Sequence, residues 1–241
     1  TMVDRIVPKT TEADRAMVAE RLGMVDAWPV MTEPFLQWVV EDRFPTGRPR
    51  LEDAGAEMVV DVEPFEHMKL RLLNGAHTAM AAIGLLAGRQ TVSAAVGDPA
   101  IRRFVEAYWA EAIPTLGQGA GDPHAYTRSL LARFSNGALP HRTQQIATGS
   151  SQKIPQRILA PLQERLAARQ PSPAMTFAVA AWIRSCGGLD DAGRPITFSD
   201  PVLDGWKDQP DQRRVPAAEV VRAFLGLTSV FGTLPRDEDF V

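Results

Sequence analysis

A single cysteine, Cys186, occurs in 241 residues. One thiol excludes an internal disulfide and any cysteine cluster for zinc or iron–sulfur, and it is compatible with a reducing cytoplasm, the compartment we expect. Histidine is scarce too. His67, His77, His124 and His141 are the full set, and none falls in an HExxH or a close carboxylate pairing, so no metal site is expected. A basic stripe is also missing. Lys+Arg total 26 against 29 Asp+Glu, for a net charge of -3, with the signs interspersed; nothing here neutralises a phosphate backbone, which argues against nucleic acid. No apolar run approaches the ~20 residues of a membrane-spanning helix, and Thr1-Met-Val-Asp4-Arg5 is not a charged-then-apolar leader, so neither membrane nor export is expected. A dinucleotide fingerprint is lacking as well. The one glycine cluster, Gly117-Gln-Gly119-Ala-Gly121, follows a helical pattern and runs into Asp122-Pro123, read as a turn rather than a helix start, whereas a pyrophosphate cradle needs a strand before it and a helix N-terminus after it. It reads as a plain loop. There is no initiator methionine, and the opening reads as mid-domain sequence, so we expect a piece of a longer protein.

Hydrophobic residues make up 45% of the chain, enough to bury a core in one large domain or a domain plus a fragment. Thr10 and Thr11 before Glu12, followed by an Ala/Arg/Glu-rich stretch to about Leu22, read as a capped helix. Between Trp28 and Phe44 the β-formers Val30 and Met31, then Phe35 to Val40, bounded by Pro29, Pro34 and Pro45, predict one or two short strands. A Pro/Gly loop at 44–49 and the apolar Met58 to Val62 precede Pro64, a candidate boundary. Beyond it the period becomes helical near 65–88, 99–115, 124–136, 153–170, 173–186 and 216–230, so the larger part is predicted mainly α. Turn chemistry breaks it at Gly88, Gly97 to Pro99, Gly117 to Pro123, Gly137, Gln170-Pro171, Gly187-Gly188 and Asp208 to Asp211. Trp38, Trp109, Trp182 and Trp206 are expected in the core or at domain packing, and Cys186 as an inert buried thiol.

With no metal expected, an alcohol oxidised by this chain would lose its proton to a side chain, which draws attention to Lys69. At 100° per residue, Lys69 at 0° puts Glu66 near ~60°, His77 near ~80° and Asn74 near ~140°, all on one side of a helix. Such a face is commonly solvated. Here Leu70, Leu72, Leu73 and Met80 interleave with it, which leaves no side plainly aqueous and favours a cleft. Burial would lower the lysine pKa toward working pH, as a general base requires.

Lys69-x4-Asn74-x2-His77 in the setting MKLRLLNGAH, with Thr1-Met-Val-Asp-Arg-Ile-Val-Pro8 upstream, resembles the mannitol dehydrogenase family of polyol-specific dehydrogenases, which includes the fructuronate (mannonate) reductases. Further matches are Glu33-Pro-Phe-Leu-Gln-Trp-Val-Val-Glu-Asp42, Gln152-Lys153-Ile-Pro155-Gln-Arg157, and Gly187-Gly188 running on to Ser199-Asp200-Pro201. They occur in order over nearly the whole chain.

The resemblance implies a multi-helical substrate domain like the C-terminal part of 6-phosphogluconate dehydrogenase over 58–241, preceded at 1–57 by a small α/β tail of a Rossmann-type cofactor domain. It implies NAD (or NADP) bound mainly upstream, with a second catalytic asparagine just before Thr1, and a sugar alcohol or sugar acid as the small-molecule substrate. By the same resemblance Lys69 is general base, Asn74 helps hold the alkoxide-like oxygen, His77 orients substrate and Glu66 passes the proton to solvent. Lys153 matches a substrate-contacting lysine, the lesser alternative being a surface lysine at a helix start before Pro155. Two departures stand out. Gly149-Ser150-Ser151-Gln152-Lys153 replaces the family's Asp-Gly-Ser-Gln-Lys, and Gln145 stands where mannitol-specific relatives carry arginine. The His141-Arg142-Thr-Gln-Gln145 context looks more like the hexuronate-reductase branch, and leaves Arg142, Lys153 and Arg157 unranked as partners for a substrate carboxylate. The chain also stops at Phe240-Val241, where relatives continue into a terminal helix. The chain alone is expected to be catalytically silent; the alternative is a helical binding or scaffold module that kept the fold and lost the chemistry.

Overall fold

The computed structural model describes residues 1–204, 215–237 and 240. Trp206 and the turn expected at Asp208 to Asp211 lie outside them. A three-stranded sheet is formed by β1 (Met2–Asp4), β2 (Gln37–Glu41) and β3 (Ala56–Val59) in that order. β1 runs antiparallel to β2, with Val3 opposite Trp38; β3 runs parallel to β2, with Ala56 opposite Trp38. The strand expected at Val30 and Met31 does not form, because Pro29 and Pro34 each withhold an amide donor from a ladder. Trp38 is half-buried, not core, and its indole donates to the Thr1 hydroxyl at 3.1 Å.

Helix α1 (Glu12–Leu22) starts at a capping box: Thr11 Oγ1 accepts from Asp14 N, and Asp14 accepts from Thr11 N at 2.8 Å. It buries no residue. The helical part begins with α2 (Glu63–Met68), a π-helical turn (Lys69–Gly75) and α3 (Ala76–Leu86) in unbroken succession. α3 is apolar on all sides, Ala76 to Ala82 being buried throughout, and such a helix belongs in the middle. α4 (Val92–Val96), α5 (Pro99–Ala112), α6 (Pro123–Phe134), α7 (Thr143–Ala147) and α8 (Ser150–Ile154) follow. A second π-helical turn (Pro155–Leu159) leads directly into α9 (Ala160–Ala167), so Pro155 lies inside a helical run and does not start one. α10 (Pro173–Ser185), α11 (Pro201–Asp204), α12 (Ala217–Leu225) and α13 (Thr228–Phe231) complete the described residues. α3 packs against α10, α7, α4 and α5. Trp109 and Trp182 are buried in this core, as is Cys186, whose thiol pKa burial pushes up. No described helix is long and apolar enough to cross a membrane.

The two π turns touch. A π turn bonds i to i+5 and leaves carbonyls unmatched. Trp109 Nε1 donates to the Leu72 carbonyl at 2.8 Å, and the Tyr108 hydroxyl lies 3.3 Å from the Arg71 carbonyl and 3.1 Å from the Arg157 carbonyl. Gly75 allows this approach, since a Cβ there would sit 2.1 Å from the Tyr108 oxygen and 3.0 Å from the Arg157 carbonyl. Arg71 adds a bidentate bond to Glu164 of α9 at 2.6 and 2.7 Å.

The sheet is tied to the helices by charge. Asp4 of β1 and Glu33 are 0% and 3% exposed, and both pair with Arg133 of α6, at 2.7 and 2.8 Å. Tyr126 donates to Asp4 at 2.5 Å, the Ile6 amide donates to Glu33 at 2.6 Å, and the guanidinium lies 4.0 Å from the Phe35 ring centroid. Arg133→Met would strand two buried carboxylates, so we expect a loss of about 3–5 kcal/mol in urea unfolding; a change under about 1 kcal/mol would mean the network holds nothing. Gly75→Ala is expected to cost about 1–3 kcal/mol by overpacking, whereas Gly117→Ala, with nothing within 4 Å, should stay within about 0.5 kcal/mol.

Candidate active site

Lys69 opens the first π turn, where the 100° spacing assumed from sequence does not apply, because the turn shifts the hydrogen-bond register. Its Nζ donates to the Val3 carbonyl of β1, and the residue is half-buried. Burial holds its pKa below the ordinary 10.5; Arg133 and Arg157 act the same way, while Asp4 and Glu66 oppose them. Glu66 itself is exposed on α2. Asn74 is half-buried near the end of the turn, and its carbonyl accepts from the Thr78 hydroxyl at 2.9 Å.

His77, at the start of α3, is 5% exposed. Its ring lies against Phe134, with centroids 4.4 Å apart, and meets the His141 ring edge-on at 5.4 Å. Its Nε2 is buried with no hydrogen-bond partner. Burial, then the neighbouring His141, Arg157 and Arg133, keep its pKa well below 6.5, so the imidazole is neutral. His141 behaves alike, brought down to about 4 by burial and by Lys153, and its Nδ1 is also buried without a partner. Arg157, in the second π turn, donates from one terminal nitrogen to Thr78 Oγ1 at 3.1 Å, while its Nε has no partner. Three vacant polar atoms thus belong to one neighbourhood.

Lys153, Gln145 and Arg142 form a second group along a cleft of about 750 Å³ that also takes in Lys9 and Met31 from the N-terminal segment. Lys153 is not a surface lysine at a helix start. It is half-buried, and its Nζ donates to the carbonyls of Ile146, at 3.0 Å, and Thr148, at the end of α7. Gln145 is half-buried, with its amide 3.5 Å from the Lys9 carbonyl, and Arg142 is exposed. The altered Gly149-Ser150 loop is firmly held: Gly149 takes the left-handed φ of +65° that suits glycine, Asp200 accepts from the Ser150 hydroxyl at 3.0 Å and the Ser151 amide at 2.8 Å, and Trp182 donates to Ser150 at 2.9 Å. His141 stands between the groups, beside His77 on one side and within reach of Lys153's charge on the other. Sequence reasoning weighed His141 only as a metal ligand and left Arg157 unranked. Both lie in segments that carry the resemblance, but their burial beside residues about 60–80 positions away has no local signature.

A half-buried amine of lowered pKa and a neutral imidazole that share Arg133 and Arg157 as electrostatic neighbours are equipment for moving a proton on and off a substrate oxygen. Among the described residues no cluster could hold a metal ion. The glycine loop at 117–121 does not suit a pyrophosphate, because the Asp122 carboxylate already caps α6, accepting from His124 N at 2.8 Å.

Residues 61–241 match the mannitol dehydrogenase C-terminal domain, and residues 1–53 match the mannitol dehydrogenase Rossmann domain. A D-mannonate oxidoreductase of Escherichia coli is 43% identical over 100% of this chain and 50% of its own length. A mannitol 2-dehydrogenase of Pyrenophora tritici-repentis is 41% identical over 100% of this chain and 42% of its own. The solved ternary complex of Pseudomonas fluorescens mannitol 2-dehydrogenase with NAD and D-mannitol superposes with a TM-score of 0.88 at 33% identity, covering 99% of this chain and 48% of that one. The chain therefore spans about half the length of the relatives it matches. Ordered sequence matches, a helical core and a sheet remnant at the N-terminus all agree: the chain belongs to the mannitol dehydrogenase family.

Proposed function

We propose that this chain supplies the substrate-binding and proton-transfer half of a dehydrogenase that interconverts a secondary alcohol and a ketone on an open-chain six-carbon sugar alcohol or sugar acid. The observation that carries this is the Lys69 amine, half-buried, lowered in pKa and held on a main-chain carbonyl, with Arg133 and Arg157 as electrostatic neighbours that it shares with neutral His77. Relatives named for D-mannonate and for mannitol support the substrate class. Residues 1–57 are read as the tail of the cofactor domain and 58–241 as the substrate domain.

The described residues do not fit a dinucleotide pyrophosphate, so the cofactor, NAD or NADP, is assigned to sequence upstream, in line with the partial Rossmann match. When bound, it supplies hydride acceptance and donation. The chain's own work is proton transfer and orientation. The substrate hydroxyl gives its proton to Lys69 Nζ as the carbonyl forms, and the ammonium returns it in the reverse direction. The Val3 carbonyl fixes the amine without adding a negative charge that would raise its pKa. Asn74 donates to the oxygen on which charge develops, neutral His77 hydrogen-bonds a neighbouring hydroxyl, and Glu66, exposed on the preceding helix, hands the proton to water. Lys153, Gln145 and Arg142 are read as contacts to the rest of the sugar. A scaffold that lost its chemistry is disfavoured by the well-tied loop at Gly149-Ser150.

Lys69→Ala in the full-length protein is expected to lower kcat for alcohol oxidation by about 10²- to 10⁴-fold; a variant keeping more than about a tenth of the rate overturns the role of base. Alcohol oxidation needs the free amine and ketone reduction the ammonium. Oxidation should therefore rise with pH and level off while reduction falls, both limbs lying below 10.5 because the site lowers this lysine's pKa. An oxidation limb at or above 10.5 in the pH profile of kcat/KM would contradict the assignment.

A further inference from the structure

The buried charges around Lys69 are unequally matched. Asp4 and Glu33 both pair with Arg133, and Asp4 also acts on nearby Lys69, so both carboxylates are compensated within the fold. Arg157 stands outside the balance. Among the described residues it makes no ion pair, and the only group that favours its charge is the buried phenol of Tyr108, whose pKa burial pushes up and which therefore stays neutral. An arginine kept half-buried without an anion costs stability, and the fold tolerates that only where something else repays it.

Its geometry shows which side is unpaired. One terminal nitrogen is occupied by Thr78, the residue after His77, and the Arg157 backbone is pinned by Tyr108. Nε is buried and unpartnered, and among the described residues none bonds to the second terminal nitrogen. Nε and that nitrogen form one of the two edges on which a guanidinium receives a carboxylate through parallel hydrogen bonds. Arg157 also acts electrostatically on Lys69, His77 and Lys153 alike, which puts it amid both groups of site residues.

Resting on the reading above that a sugar chain occupies this site, we propose that Arg157 is a substrate-binding residue whose free edge takes a carboxylate, which makes the preferred ligand a sugar acid. A neutral hexitol would leave the guanidinium uncompensated, and that penalty discriminates against it. His77 Nε2 and His141 Nδ1, the other vacant atoms, are left for hydroxyls along the chain.

The test is equilibrium binding to the full-length protein by titration calorimetry with D-mannonate, its uncharged amide and D-mannitol. A charge-assisted pair predicts that wild type binds the acid about 10- to 100-fold more tightly than the amide or the hexitol. Arg157→Gln should abolish that preference, whereas Arg157→Lys should keep part of it. Equal affinities for acid and amide in wild type overturn the proposal, as does a preference that survives in Arg157→Gln. Because the acid-against-amide comparison uses unmodified protein, a lack of preference there overturns the proposal even if Arg157→Gln does not fold, and Arg157→Lys then tests the assignment to Arg157. Lys69→Ala separates the two readings: it should lose turnover yet keep the preference for the acid, and retained turnover would sink the base while leaving the carboxylate site standing.

Discussion

Carbonyls freed inside a helix must find donors, and the site is organised by how this chain meets that demand. Two π turns, at Lys69–Gly75 and Pro155–Leu159, expose backbone oxygens to the core, and α5 meets them with Tyr108 and Trp109. Satisfying those oxygens draws the turns together over Gly75, the position where a side chain would collide. Lys69 and Asn74 ride on one turn and Arg157 on the other. The register shift that unsettles the helix is thus what brings these three groups into a common neighbourhood, and buried π turns of this kind are frequent at functional sites.

The second constraint is long-range. Arg133 gathers two carboxylates from the N-terminal segment, across sequence separations of 100 and 129 residues. Removing water from three charges is expensive, and the added bonds from Tyr126 and the Ile6 amide make the arrangement tolerable. It fixes β1 against α6, and with β1 comes the Val3 carbonyl that receives Lys69.

Much of this was readable in the sequence and some of it was not. Thr10 and Thr11 before Glu12 announce a helix start through local chemistry, and Thr11 caps that helix, whereas Asp98-Pro99 and Asp122-Pro123 read only as turns although each aspartate caps the helix that follows. The apolar run of α3 and the breaks at Gly88 and Gly97 are equally local. Strand β1 escaped notice because three residues give no period to detect, and Val30-Met31 looked like a strand because β-propensity ignores the donors that flanking prolines remove. Lys69, Asn74 and His77 stood out by spacing and resemblance, yet the helical wheel that grouped them assumed an unbroken α register. His141 and Arg157 stood in segments that carry the resemblance, but nothing local singled them out, since being buried without a partner is a property of the assembled fold.

One small bond has a wider consequence. The amine that would do the chemistry is tethered to the main chain of a strand belonging to the other part of the molecule. Docking and readiness are therefore interlocked: any movement that peels β1 from the helices also releases the lysine. Built this way, sheet and helices share a safety catch: a loosened assembly gives up the bond that fixes the amine.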